Sequence, residues 1–256
     1  MKIFLSNIIV AVIVAGGILF AVNRKISSIF HDQKLLELMN MSHIVEKEIN
    51  DISSNIKKQL TAFSAIVSDD RDFVMKLLVE KDFTAPEVAD IAIQHMKSMG
   101  LSFLEIVDSE YKILSSGHFP ASTGNISNKK KNMTDNTMTF LYDNIKGTEV
   151  LSLQLKIPFF CSDVILYCIG GIAADSDFIS QIRPYKGIQI LLKQENSILG
   201  MDNIETISDI EDNRIIINDK TWMVNSMSLK GVEGEKIPEI FILMEEPEMI
   251  SLLDMI

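Results

Sequence analysis

The sequence predicts an α+β protein in which an N-terminal transmembrane helix continues into a long helix and is followed by antiparallel sheet with flanking helices. Three observations carry this reading. Residues Ile3 to Val22 form an apolar run broken only by Ser6, Asn7 and the pair Gly16-Gly17; Ile26 to Val67 contains neither Pro nor Gly and repeats its apolar residues at helical spacing; beyond Asp69, short helix and strand signals alternate.

The apolar run matches the roughly 20 helical residues that cross a bilayer core. A cleaved signal would need a small-x-small site, whereas the run leads into Ala21-Val22-Asn23-Arg24-Lys25, with charge where the cut would fall. Residues 1–25 therefore read as an uncleaved anchor, and the membrane as one partner. Charge does not orient it, because Lys2 and the amino terminus on one side are matched by Arg24 and Lys25 on the other.

Residues 26–68 read as a helix emerging from the membrane. Val45, Ile49, Ile52, Ile56, Leu60, Phe63 and Val67 follow steps of four, three, four, four, three and four and draw one stripe along it. Such a stripe packs either on the chain's own domain or on the same helix of a second copy, as a coiled-coil seam does.

The rest has the composition of a globular chain, with 47% hydrophobic and 23% charged residues and a net charge of −11. That acidity argues against nucleic acid, whose phosphates require clustered Lys and Arg. The basic cluster Lys129-Lys130-Lys131 sits in a polar stretch and reads as a solvated turn.

Thr84-Ala-Pro-Glu87 has the form of a capping box with Pro in the first turn, opening a helix that Gly100 ends. Leu101 to Val107 and Tyr111 to Ser116 form a hairpin about Asp108-Ser109-Glu110. Residues 117–136 are polar and read as a long surface loop or a boundary between lobes. Leu151, Leu153, Leu155 and Ile157 alternate with polar partners, and the run Val164 to Ala174 is apolar enough to be a strand buried on both faces. A turn at Ser162-Asp163 sets Cys161 opposite Val164 and Cys168 opposite Ile157, out of disulfide register, so both cysteines read as core residues. Asp175-Ser-Asp177 caps a short helix closed by Pro184, and strands follow at 187–193, 214–217, 222–229 and 237–244.

The membrane span, the long helix, the hairpin FLEIVDSEYKILSSGHFP, and LYCIGGIAADSDFISQI running into GIQILL together resemble the extracytoplasmic Cache (PAS-like, possibly double Cache) sensor regions of bacterial membrane sensor histidine kinases. In that family an apolar strand, a Gly-Gly pair and an Asp-x-x-Phe helix start recur, matched here by Gly170-Gly171 and by Asp175 with Phe178. The resemblance implies a first, membrane-distal Cache-like lobe at 69–136, a second PAS-like lobe at 137–246 and the start of a C-terminal segment at 247–256. It further implies a periplasmic domain on a single inner-membrane span, and a parallel homodimer signalling through the long helix in a two-component system. The chain departs from the family in two ways. Glu245 to Ile256 does not resemble a second span, so the chain reads either as the sensory part of a longer kinase or as a stand-alone single-pass sensor. The run of Tyr, Arg, Trp and Asp contacts shared by amino-acid-binding members has no match, which leaves the ligand class open.

Catalysis has little to build on. His31, His43, His95 and His118 form no metal-ligand spacing, and neither a nucleophile elbow nor a phosphate-binding loop is present, so no catalytic residue, metal or cofactor is assigned. The candidate ligand contacts are Asp108 and Tyr111 at the hairpin turn, His118 at the end of its second strand, and Arg183 before Pro184. The expected function is a signal-sensing region that binds a small ligand; the alternative is a membrane-anchored scaffold whose outer sheet face binds another protein.

Overall fold

The computed structural model describes residues 2–246 apart from 146, 186, 195–196, 202–203, 205, 209 and 233–238, together with some further side chains, among them those of 2–13. The expected C-terminal segment 247–256 lies outside the described residues. A single helix, α1 (Lys2–Asp69), runs for 68 residues, roughly 100 Å. The apolar run at Ile3–Val22 forms its first part, most of whose side chains are not described; among the described residues no helix is long and apolar enough to cross a membrane.

Further along, α1 is the spine of two sheets. Its buried residues Leu38, Val45, Ile52, Ile56, Leu60, Phe63 and Val67 face the chain's own strands, so from Val45 onward the stripe is used within the chain. The first sheet contains β1 (Phe103–Val107), β2 (Ile113–Ser116), β3 (Met138–Ile145), β4 (Thr148–Cys161) and β5 (Val164–Ala173) in the order β2-β1-β5-β4-β3. The second contains β6 (Ile188–Gln194), β7 (Ser197–Leu199), β8 (Arg214–Ile217), β9 (Lys220–Ser228) and β10 (Glu239–Glu245) in the order β7-β6-β10-β9-β8. Counted within each sheet both orders are 2-1-5-4-3, with every neighbouring pair antiparallel. The chain repeats one topology along one helix.

This arrangement corrects the lobe boundary expected at 136/137. Residues 138–173 pair with β1 in the first sheet, and the polar stretch before them is a connection within one lobe. The second lobe begins after α6 (Ser176–Ile182), whose N-cap is Asp175 as expected: its carboxylate accepts from the amides of Asp177 and Phe178. The two lobes also touch directly, since the Phe140 amide donates to the Lys230 carbonyl at 2.7 Å.

A single turn, α2 (Arg71–Val74), follows α1. The expected helix after Thr84 is split into α3 (Pro86–Ala89) and α4 (Ile91–Met96), and the capping box does not form. Thr84 donates instead to Asp82, and the Ser115 hydroxyl of β2 enters the helix, donating to the Ala89 carbonyl while accepting from the Ala92 amide. A strand side chain thus takes over the hydrogen bonds that would have continued the turn.

Gly170 and Gly171 are required by close approach. A Cβ on Gly170 would lie 2.5 Å from a Leu60 methyl of α1, and one on Gly171 would lie 2.0 Å from the Leu153 carbonyl oxygen. Their absent side chains let β5 lie against the helix and against β4. Cys161 and Cys168 are free and buried in the predicted register, paired with Val164 and Ile157 respectively. Burial pushes the Cys168 thiol far above its ordinary pKa, and that of Cys161 also upward.

Candidate functional site

Strand alternation gives the first sheet two unlike faces. One, with Leu104, Ile106, Leu153, Leu155, Ile157 and Cys168, packs on α1. The other carries Glu105 of β1, Asp143 of β3, Ser152, Gln154 and Lys156 of β4, and Tyr167 and Ile169 of β5, which the register brings side by side. Residues 117–136 fold over this second face. They place a 3₁₀ turn at Pro120–Ser122 and the single turn α5 (Asn128–Lys131) above it, with Met133 packed on Val107, Ile113, Leu141 and Ile169. Val232, from the connection after β9, joins the same cluster and brings the second lobe to its edge.

The layer so enclosed, a chamber filled by its own side chains, is ionic. Lys130 is 3% exposed, and its ammonium contacts Glu105 directly and Asp143 at 3.0 Å. His118, equally buried, sets Nε2 at 3.4 Å from Glu105 and 3.9 Å from Asp143, with its ring against Phe103. Ser116 donates to Glu105, and the Gln154 amide donates to Asp143 at 2.9 Å. Burial by itself would raise the pKa of Asp143, but the His118 hydrogen bond, the Lys130 charge and the Gln154 amide together hold it well below the usual carboxylate range. Burial likewise opposes the charge on Lys130, and the Glu105 and Asp143 charges outweigh it and raise the ammonium's pKa. A second cation lies at the neighbouring end: Lys156 donates to the Tyr111 hydroxyl at 3.0 Å, pairs with Asp135 at 3.0 Å and stands over the rings of Tyr111 and Tyr167, which stack 5.3 Å apart. Two buried polar atoms of the chamber, His118 Nδ1 and Gln154 Oε1, have no hydrogen-bond partner within the protein, a costly state for buried polar groups.

Of the four candidate contacts, Tyr111 and His118 meet at this chamber. Asp108 accepts from the amides of Glu110 and Lys112 and serves as the acid of the β1–β2 turn. Arg183 lies beyond α6 and donates to the Gly200 carbonyl in the second lobe, apart from the other three. The expectation of a solvated turn at Lys129-Lys130-Lys131 is corrected at its middle residue, since the carboxylates beneath draw Lys130 inward while Lys129 and Lys131 stay exposed. Glu105, Asp143, Gln154, Lys130 and Lys156 were not foreseen. Their signal was the polar alternation Ser152, Gln154, Lys156 within β4, which has the pattern of a solvent face and is buried under the cover.

The second sheet has apolar residues at the corresponding place. Its face away from α1 carries Leu191, Ile215, Ile217, Trp222, Val224, Phe241 and Leu243, onto which Met201, Ile204 and Ile207 pack. Between α1, β3 and β9 there is also an open cleft of about 440 Å³ bordered by Glu46, Asn50, Asn136, Phe140, Leu229 and Lys230. Among the described residues no group of three or more His, Cys, Asp or Glu is placed to hold a metal ion.

No protein-family model and no curated protein matches the chain. Solved structures do. The ligand-binding domain of the Pseudomonas aeruginosa amino acid chemoreceptor PctB, in complex with L-Arg, superposes with a TM-score of 0.51 at 12% identity over 84% of this chain and 97% of its own. The Vibrio cholerae LuxQ periplasmic domain does so at 0.50 and 13%, over 81% and 98%, and the sensor domain of the V. cholerae histidine kinase DctB at 0.50 and 10%, over 84% and 100%. The chain shares its fold with these domains. The α+β architecture expected from the sequence, a long helix followed by antiparallel sheets with flanking helices, is the one present, with the ionic chamber in the first of its two lobes.

Proposed function

We propose that this chain is the extracytoplasmic sensory module of a membrane-anchored receptor of the sensor histidine kinase type. In this reading it binds a small molecule in the chamber of the first lobe and signals through α1. The observation that carries the reading is the chamber itself: a buried set of charged and hydrogen-bonding side chains, two of its polar atoms unpaired, lies beneath a non-strand cover on a sensor-domain fold. Buried charges cost stability unless paired, and their concentration in one lobe while the other is filled with hydrocarbon is the pattern of a binding site. The fold likeness to domains named as amino acid chemoreceptor and histidine kinase sensor supports the class of function.

Anchorage rests on the apolar run Ile3–Val22 within α1, which has the length and composition of a single span. Pairing of two copies is supported by Ile26, Ile29, Phe30, Leu36 and Met39, which are large, apolar and exposed on the part of α1 before its packed stripe. Because α1 holds both sheets, a change in the first lobe shifts the balance between two packings of the helix, to the extent that the ligand binds one better than the other. The scaffold alternative wanted an exposed apolar outer sheet face. The first sheet's outer face is ionic and covered, and the second sheet's carries Met201, Ile204 and Ile207.

The test is a thermal-shift screen of the detergent-solubilised full chain against small metabolites, since a ligand specific to the native state stabilises it by RT ln(1 + [L]/Kd). We expect one chemical class to raise the melting temperature and the shift to vanish in Gln154→Leu. Absence of any shift from a folded chain across a broad panel would return the reading to a protein-binding scaffold.

A further inference from the structure

We propose that Lys130 fills the ligand site of this chain from within, as a tethered stand-in for a small organic ammonium compound that displaces it on binding. This rests on the sensing reading above and adds the chemical class of the ligand and what holds the site shut. The charges of the chamber divide into a floor and a cover. Glu105, Asp143 and Lys156 stand on strands of the first sheet; Lys130 and Asp135 come from the segment above it. Each ion pair across the seam joins one to the other, with Lys130 reaching Glu105 and Asp143, and Asp135 reaching Lys156.

Without the Lys130 ammonium, the Glu105 and Asp143 carboxylates of the floor and the His118 ring of the cover are left facing a single point. That is a receptor for a cation, and a compact one with N–H donors, because Glu105 and Asp143 accept hydrogen bonds from the present occupant. The unpaired Gln154 Oε1, on the same floor, is an acceptor that Lys130 does not use and that a further donor on a free ligand would satisfy. The occupant is weakly held in other respects. From Thr123 to Thr137 only Lys130 and Met133 are buried, α5 is one turn long, and its N-cap Ser127 makes no capping hydrogen bond. Backbone hydrogen bonds tie the cover at its ends, Asn125 and Ser127 to Ile113 and Tyr111 at the start of β2, and Asn136 to Lys156. Between them α5 is held by Lys129, the Lys130 ammonium, Met133 and the Asp135 pair, and it loses its central, buried fastening when another ammonium takes the carboxylates.

The test uses the detergent-solubilised full chain and n-butylammonium chloride, which reproduces the lysine side chain beyond its Cα. Lys130→Ala is expected to melt below the wild type and to regain most of that loss saturably with n-butylammonium, but not with n-butanol or sodium chloride at equal concentration. Should Lys130→Ala not fold, Asp135→Asn decides, because that side chain is 44% exposed and the variant keeps Lys130 and the two carboxylates while removing one tether. It is expected to bind n-butylammonium several-fold more tightly than the wild type. A folded variant with no saturable response to n-butylammonium would make Lys130 a structural ion-pair partner and overturn the proposal. A shift from compounds without an ammonium group, equal in wild type and Lys130→Ala, would uphold sensing and still overturn self-occupancy.

Discussion

The two lobes share a strand order and a helix, and differ in what lies on the sheet face turned away from that helix. In the second lobe the face is apolar from Leu191 to Leu243, and Met201, Ile204 and Ile207 cover it. In the first the same face carries Glu105, Asp143, Gln154 and Lys156, and the cover contributes Lys130 and His118. One topology supports either filling, so the fold does not require the charges. Hydrocarbon of similar volume in such a place is commonly as stable or more so. The lobe that retains charge is therefore the one in which the proposed function would set the composition.

The comparison is most exposed to a substitution that leaves the chamber's charges unbalanced. Lys130→Met strands Glu105 and Asp143 without their ammonium and should cost about 3–5 kcal/mol, measured by denaturant unfolding. Adding Glu105→Gln should recover part of that loss. A cost near zero for Lys130→Met would mean that the chamber is wetter and looser than its counterpart. In the second lobe, Leu243→Ala tests the apolar filling and should cost about 2–4 kcal/mol by cavity formation, with no recovery available from a partner change.

Next in size is the close backbone contact between β5 and β4. Gly171→Ala drives a methyl group into the Leu153 carbonyl and should destabilise by about 3 kcal/mol in the same unfolding assay. A neutral result would show that β4 and β5 can separate at that point.

The lobes should also part company with pH. The carboxyl pKa of Asp143 is lower in the folded chain, so its contribution is complete above the ordinary value near 3.8 and is lost as pH falls from there towards the native value. The ammonium pKa of Lys130 is raised, so its contribution is complete below 10.5 and is lost as pH rises through the native value. Trp222, the single Trp of the chain, stands in the second lobe and reports on it alone. On acidification below about pH 4, near-ultraviolet signals from the tyrosines should change before Trp222 fluorescence does. Simultaneous loss would mean that the two lobes unfold as one unit. The smallest effect concerns Cys161 and Cys168, which burial should keep unmodified by iodoacetamide in the native chain and reactive only on unfolding.

Periodicity made most of the elements legible. The stripe on α1, the strand pairs with both cysteines in register, and the Asp175 cap follow from spacing and cap chemistry that act over a few residues. The chamber was not legible for a related reason. Alternation in β4 separates two faces but does not say what covers the polar one, and Ser152, Gln154 and Lys156 have the same pattern whether water or a cover lies above them. Nor can local sequence distinguish Lys130 from Lys129 and Lys131, because the carboxylates that select it come from β1 and β3. His118 and Tyr111 were reachable because they border a hairpin end. The lobe boundary was misplaced because a long polar segment has the same composition as a linker or as a cover inside one lobe.

Amide hydrogen exchange of the full chain, with and without whichever compound raises its melting temperature, tests the central claim most directly. Binding in the first lobe predicts new protection in β1, β3 and β4 and a loss of protection at α5 as the cover is released, with the segment around Ile204 and Ile207 unchanged. Protection confined to the second lobe, or to the cleft between α1, β3 and β9, would contradict it.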